Sequence, residues 1–180
     1  MKNYIALLRG INVSGKNKIL MADLRLLLEG LGFENVQTYI QSGNVIFQTN
    51  KKKASLSKLI ATKINETYNY NISVIIIDKL ELQSVIKNNP FLINDTAVDL
   101  KKLYVFYLNK IPKETQKLTD FDFGKDEYII VDKVIYIKYN LGAGTTKLSI
   151  KIIENKLDVI ATARNWRSTN KIYEMIDAIS

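Results

Sequence analysis

The same order of patterns recurs twice along this chain: a short apolar run, a helix-spaced stretch, two strand-like runs about a tight turn, a second helical stretch and another apolar run. In the first half these fall at 3–8, 20–31, 36–41 with 44–49, 54–68 and 72–77. Leu20, Leu24, Leu27, Leu28 and Leu31 keep the three-and-four spacing of an amphipathic helix, which Gly32 stops. Leu56, Leu59, Ile60 and Ile64 repeat that spacing, and Ser42-Gly43 reads as a hairpin turn. The second half gives a strand at 102–108, a short helix at 112–119 opened by Pro112, and a hairpin of 126–131 with 134–139 across Asp132-Lys133. A helix at 146–155, a strand at 158–163 and a final helix at 169–179 complete it. A further helix over 79–88, stopped near Asn89-Pro90, joins the halves. No residue-level repeat accompanies the recurrence, so the duplication is one of architecture.

The order β-α-β-β-α-β is that of the ferredoxin-like split βαβ unit. The expected fold class is α+β: two ferredoxin-like halves with antiparallel sheets ordered 4-1-3-2, plus a linking helix and a C-terminal helix. The expected domains are 1–78, a linking helix and loop at 79–100, and 101–180 with the C-terminal helix. The runs 103–108, 128–131 and 134–137 are apolar on both faces, whereas a sheet with one wet face alternates. The second face of at least one sheet is therefore expected to be covered, which argues against an open RNA-binding sheet.

Composition narrows the chemistry. With 47% hydrophobic and 24% charged residues the chain is globular, not disordered. It has no Cys and no His, which removes disulfides, thiolate nucleophiles, zinc-thiolate sites, the Ser-His-Asp triad and His-ligated metals. No apolar run approaches the roughly 18 residues a spanning helix needs, and the N-terminus lacks signal-peptide character. A cytoplasmic protein with no membrane partner is expected. The net charge of +8 divides evenly, +4 in residues 1–99 and +4 in 100–180. A Lys-rich surface would account for it, and so would an anionic partner steered by the positive field. Only four basic residues are Arg: Arg9, Arg25, Arg164 and Arg167. Three of them lie in polar segments, where a guanidinium fork can hold carboxylate or phosphate through paired bonds.

Four segments carry the candidate chemistry. The first, residues 8–18, contains Arg9, Asn12, Lys16 and Asn17, and Gly10 to Lys16 fits the G-x-x-x-x-G-K phosphate loop. Asn17 stands where that loop places a Mg²⁺-binding hydroxyl, and Asp78, after an apolar strand, is expected at the opposite end of the sheet. The second segment supplies Gln41, Ser42 and Asn44 around a turn that topology places beside the first, although Ser-Gly-Asn is also ordinary turn chemistry. The third, 140–148, sets two glycines before an expected helix opening with Thr145, Thr146 and Lys147, suited to an anion or to simple capping. The fourth, 161–171, holds Arg164, Asn165, Trp166 and Arg167, where Trp166 could stack a base or anchor packing. The four segments contain no Asp or Glu, so their candidate bases are Lys16, Lys18, Lys147 and Lys171.

At these residues a resemblance emerges. Leu7 to Val13 with Gly15-Lys16-Asn17, Tyr39 to Val45, Asn89-Pro90-Phe91, Lys147-Leu148 and Thr162 to Trp166 together resemble the bacterial family called domain of unknown function 1697. The likeness spans nearly the whole chain. Ala143-Gly144-Thr145-Thr146 departs from the longer polar run, ending in Ser, expected before the Lys. The resemblance implies a cytosolic bacterial protein of two ferredoxin-like halves and supplies no activity.

The functional expectation is a phosphorylated or otherwise anionic ligand, such as a small molecule or nucleotide, in a cationic, amide-rich cleft lined by both motif clusters. Arg9 and Arg164 would fork the anion, Lys16 and Lys147 would neutralise it, and Gln41, Asn44 and Asn165 would orient it. Alternatives are a nucleic-acid-binding protein, a phosphoryl- or nucleotidyl-transfer enzyme relying on electrostatics, and a protein-interaction module whose motifs are structural. No metal is expected; the cofactor, if any, and the catalytic residues are left open.

Overall fold

Residues 1–93 and 97–179 are described in a computed structural model. They form two compact units: Met1–Gln83 with the chain from Lys171 onward, and Ser84–Asn170. Residues 94–96, part of the expected linking loop, lie outside the described residues.

The first unit contains β1 (Lys2–Leu8), α1 (Met21–Glu29), β2 (Glu34–Tyr39), β3 (Asn44–Thr49), α2 (Lys53–Tyr68) and β4 (Val74–Asp78). Its sheet order is β2-β3-β1-β4, antiparallel throughout, as a ferredoxin-like half requires. One face carries Tyr4, Ala6, Leu8, Val45 and Phe47 against Leu24 and Leu28 of α1 and Leu56, Ile60 and Ile64 of α2. The helix-spaced leucines and isoleucines thus become the core-facing stripe. The other face carries Ile5, Leu7, Ile46, Ile75 and Ile77, which are also buried. The C-terminal helix α7 (Trp166–Ala178) reaches this face through its later turns. Gln48 Nε2 donates to the Ile179 carbonyl at 3.1 Å, and Lys79 pairs with Asp177 at 2.8 Å. The end of the chain therefore groups with the first unit. The boundaries between units fall inside α3 (Lys79–Lys87) and inside α7.

The second unit contains α4 (Pro90–Ile93), β5 (Leu103–Leu108), α5 (Gln116–Thr119), β6 (Glu127–Val131), β7 (Val134–Lys138), α6 (Ile150–Leu157) and β8 (Ala161–Asn165). Its sheet, β6-β7-β5-β8, repeats the topology of the first. Phe106, Leu108, Ile135 and Ile137 pack on Ile153 and Leu157 of α6 and Leu118 of α5. Leu103, Val105, Tyr107 and Tyr136 are buried on the second face, and the Tyr136 hydroxyl donates to the Val85 carbonyl at 3.1 Å. Burial raises the Tyr136 hydroxyl to about 12.

Several sequence boundaries need correction, among them the final helix, which starts at Trp166 and not at 169, and β2, which is Glu34–Tyr39 and not 36–41. Pro112 does not open α5, which is a single turn from Gln116. α6 starts at Ile150, not at 146, because Ser149 is its N-cap and its hydroxyl accepts from Ile152 N. β8 starts at Ala161 because Asp158, at φ 50°, closes α6 in the left-handed conformation.

Candidate functional site

The best-defined polar site lies in the first unit, where β1 ends. Leu8 N donates to Gly43 O at 2.8 Å, which joins that end to the β2–β3 turn. Arg9 N donates to Ser73 O at 2.9 Å, which brings in the approach to β4. Loop 9–20 is left-handed at Gly10, Asn12, Ser14, Gly15 and Asn17. Asn tolerates that region better than other side-chain-bearing residues, so the Gly and Asn content fits the path. Asn12 organises the loop. Its Nδ2 donates to Ile19 O at 3.0 Å and Gln41 O at 2.9 Å, while its Oδ1 accepts from Ile19 N at 2.9 Å. Asn17 Nδ2 closes the loop onto Gly10 O at 3.0 Å. Fully buried Asn44 donates to Tyr39 O and Ser42 Oγ, both at 3.0 Å. Gly43, at φ 75°, packs so tightly that a Cβ would lie 2.7 Å from Leu8 Cβ.

The site residues of these two segments therefore come together but divide in role. Asn12, Asn17, Ser42 and Asn44 point their polar groups inward and set the loop's shape. Lys16 and Gln41 are exposed, as are Ser14 and Lys18. Among the described residues no hydrogen bond or ion pair engages those four side chains. Arg9 is half-buried at the start of the loop. Lys171, near Tyr39, is paired with Glu174 at 2.8 Å, and that bond raises its ammonium.

The phosphate-loop reading of Gly10 to Lys16 is not supported by the path. In such a loop the Gly-Lys pair opens a helix. Here Lys16 N turns back to Val13 O at 2.9 Å, and α1 begins only at Met21. Asp78 is at the far end of the sheet: it stands opposite Tyr4, while Val74 stands opposite Leu8. It also has another role. Its Oδ1 accepts from Glu81 N at 3.0 Å, and Lys53 lies 2.9 Å from its Oδ2. Burial pushes this carboxyl up, but the Glu81 N–H and Lys53 outweigh it and hold it below the usual value.

In the second unit the third segment is shaped by a carboxylate. Asn140 N donates to Asp126 Oδ1 at 2.9 Å, and the Thr146 hydroxyl donates to Asp126 Oδ2. Thr146 Oγ1 accepts from Leu148 N at 2.8 Å, and Thr145 Oγ1 donates to Leu141 O at 3.1 Å. Thr145 and Thr146 are therefore not at a helix N-terminus. Glu127 binds Asn140 Nδ2 and Lys138, which together hold its carboxyl below the usual range. The absence of acidic residues from these segments thus does not carry over to space. Glu127 opens β6, the strand that β7 pairs with, and Asp126 directly precedes it; the hairpin register, with Glu127 opposite Lys138, was the signal that could have found them. Lys147 is exposed.

The fourth segment is largely interior. β8 extends through Asn165, so Arg164 stands opposite Val105 inside the sheet. It is 6% exposed, and its Nη1 donates to Thr162 Oγ1 at 2.8 Å and Ala163 O at 2.7 Å. Burial pushes its guanidinium down to about 10, with Tyr107 opposing. Trp166 is 5% exposed and offers no open face for stacking a base. Asn165 caps α7, its Oδ1 accepting from Ser168 N at 2.8 Å. Arg167 is exposed.

Among the described residues no group of three or more acidic, His or Cys side chains could hold a metal ion, and no helix is long and apolar enough to cross a membrane. The profile of a family described as a protein of unknown function, DUF1697, matches residues 1–136. The loop at 9–20 and the turn at 40–44 fall inside that match; the C-terminal motifs fall outside it. The solved structure of the conserved bacterial protein SP0830 from Streptococcus pneumoniae is similar to this chain, with a TM-score of 0.77 and 26% identity over 97% of this chain and 98% of that one. No curated protein matches the chain.

Proposed function

The chain belongs to the DUF1697 family, whose description assigns no activity, and on that premise we propose that it binds a phosphorylated or other anionic ligand at loop 9–20 of the first unit. The observation that carries this reading is the pair of exposed ammonium groups, Lys16 and Lys18, on a loop whose shape is fixed by neutral amide side chains. No carboxylate takes part in those loop bonds, so the charge stays directed at solvent. Lys16 and Lys18 neutralise the anion, Gln41 donates to it, and Arg9 adds positive charge at the base of the loop. Asn12, Asn17 and Asn44 are positioning residues that hold the loop ready, which lowers the ordering cost of binding. The test is the melting temperature of the protein with phosphate, pyrophosphate, nucleotides with and without Mg²⁺, sugar phosphates and short oligonucleotides. A ligand at 100 times its dissociation constant stabilises by about 2.7 kcal/mol. A rise for one anion class supports the site and names its chemistry. No rise for any of them contradicts it. Turnover that requires Mg²⁺ and Lys16 would extend the reading to a transfer enzyme, and affinity growing with strand length would extend it to nucleic acid.

A second reading is favoured by a specific observation: Asn12, Asn17, Asn44, Thr146, Asn165 and Arg164 all make hydrogen bonds within the chain. On this reading the motifs are structural and the protein is an interaction module. It expects Arg164→Lys to lower the melting temperature while every ligand response stays as in the parent protein.

A further inference from the structure

We propose that the open edge of the second unit's sheet pairs with the same edge of a second copy of this chain. β6 lies at one end of the order β6-β7-β5-β8. Val131 and Val134 pair across the two-residue connection Asp132-Lys133, which makes them a hydrogen-bonded pair. The pattern alternates, so Glu127 and Ile129 also direct their backbone groups to β7. The N–H and C=O groups of Tyr128 and Ile130 then point to the open edge. Among the described residues no backbone bond outside the β6–β7 ladder engages them.

This edge lacks two of the usual safeguards against strand pairing, a bulge and a Pro. The first unit's edge strand β2 is interrupted by a bulge between Glu34 and Gln37. β6 keeps unbroken register over all five residues, with no Pro, and presents Ile129 and Val131 at 39% and 44% exposure. A regular edge with apolar side chains on its open face is a template for another strand.

Charge selects the occupant and the register. An antiparallel self-pair centred on Ile130 places Ile129 opposite the second copy's Val131 and sets Glu127 beside its Asp132-Lys133 turn, within side-chain reach of the Lys133 ammonium. By symmetry each contact occurs twice. Tyr128 and Ile130 then supply the inter-chain hydrogen bonds, as their backbone directions require. Centring on Ile129 would instead carry Asp126, just before β6, against the second copy's Asp132, just after it, which brings like charges together. Centring on Tyr128 would set Glu127 against Ile129. Glu127 can serve both partners, because Lys138 and Asn140 engage only its Oε1. Five residues a side make a small interface, so the association is weak and concentration-dependent.

Sedimentation of the full chain over a wide concentration range reads the association. The expected result is a monomer–dimer equilibrium that Ile129→Lys shifts to monomer with no change in melting temperature. Lys133→Glu weakens the dimer, and Glu127→Lys with Lys133→Glu restores it. The absence of Cys permits a register test. Ile129→Cys and Val131→Cys proteins mixed under mild oxidation cross-link to each other, whereas Ile129→Cys alone cross-links much less, since its own counterpart sits two residues off. A monomer at all concentrations, a dimer indifferent to Ile129→Lys, or equal cross-linking in the single and mixed samples overturns the proposal.

Discussion

Two loops of this molecule, 9–20 in the first unit and 139–149 in the second, both read in sequence as glycine-containing anion cradles ahead of a helix. Their scaffolds differ in charge. The first is held by neutral amides: Asn12, Asn17 and Asn44 donate to backbone carbonyls and a hydroxyl. The second is held by Asp126, which accepts from Asn140 N and Thr146 Oγ1, with Glu127 and Lys138 paired beside it. A loop shaped by amides leaves its lysines uncompensated, while a loop shaped by carboxylates carries its own counter-charge. The chemistry that fixes a loop's shape therefore also sets the field it presents.

The largest effect on this contrast comes from Gly43→Ala. It forces a side chain into a left-handed position with a Cβ 2.7 Å from Leu8 Cβ. Strain and overpacking together cost roughly 2–5 kcal/mol in denaturant unfolding and move the turn off the loop. Next is Asn12→Ala, which leaves Ile19 N, Ile19 O and Gln41 O without this partner. It should cost about 1–3 kcal/mol and reduce anion binding together with stability. Its counterpart Thr146→Val should cost a similar or smaller amount, about 1–2 kcal/mol, and leave anion binding as it was. Equal loss of binding in both variants would erase the distinction between the loops.

Smaller still is Lys16→Ala, an exposed change expected to move stability by less than about 0.5 kcal/mol while weakening anion binding. The smallest effect is a pH dependence. Glu127 is held below its ordinary value of 4.5, first by Asn140 and then by Lys138. A depressed carboxyl stabilises the fold above its unfolded value, and that contribution is lost as pH falls through the lower folded value. Unfolding measured from neutral pH downward should therefore decline less steeply below 4.5 in Glu127→Gln than in the parent protein. Amide exchange at loop 9–20, whose bonds involve no carboxylate, should change less over that range than exchange at 139–149.

The fold was legible because its signals are local. Helical spacing at Leu24 and Leu28 and at Leu56, Ile60 and Ile64 became the core-facing stripes, and both hairpins fall where the turns were expected. The unalternating strands β5 and β7 correctly implied a buried second face, whereas Ile129 and Val131 of the equally unalternating β6 stay exposed. Boundaries failed where one residue decides them. Ser149 caps α6 four residues after 145, and Asp158 takes a left-handed conformation no pattern of apolar residues encodes. The first candidate site was legible in location, because the end of β1 and the β2–β3 turn must share one end of the sheet. The roles of its residues were not, since an Asn that binds a ligand and an Asn that folds a loop look alike in sequence. Arg164 shows the same limit: its place one residue inside β8, facing Thr162 and Tyr107, depends on register. Asp126 escaped notice because it joins the 139–149 loop only through hairpin pairing.

The most direct test of the central claim is a titration of pyrophosphate at low ionic strength, followed by calorimetry, into the parent protein and into the Lys16→Ala/Lys18→Ala variant. The account predicts saturable binding to the parent protein, lost in the variant while its melting temperature without ligand stays unchanged. Undiminished binding in the variant, or none in the parent protein, would contradict it.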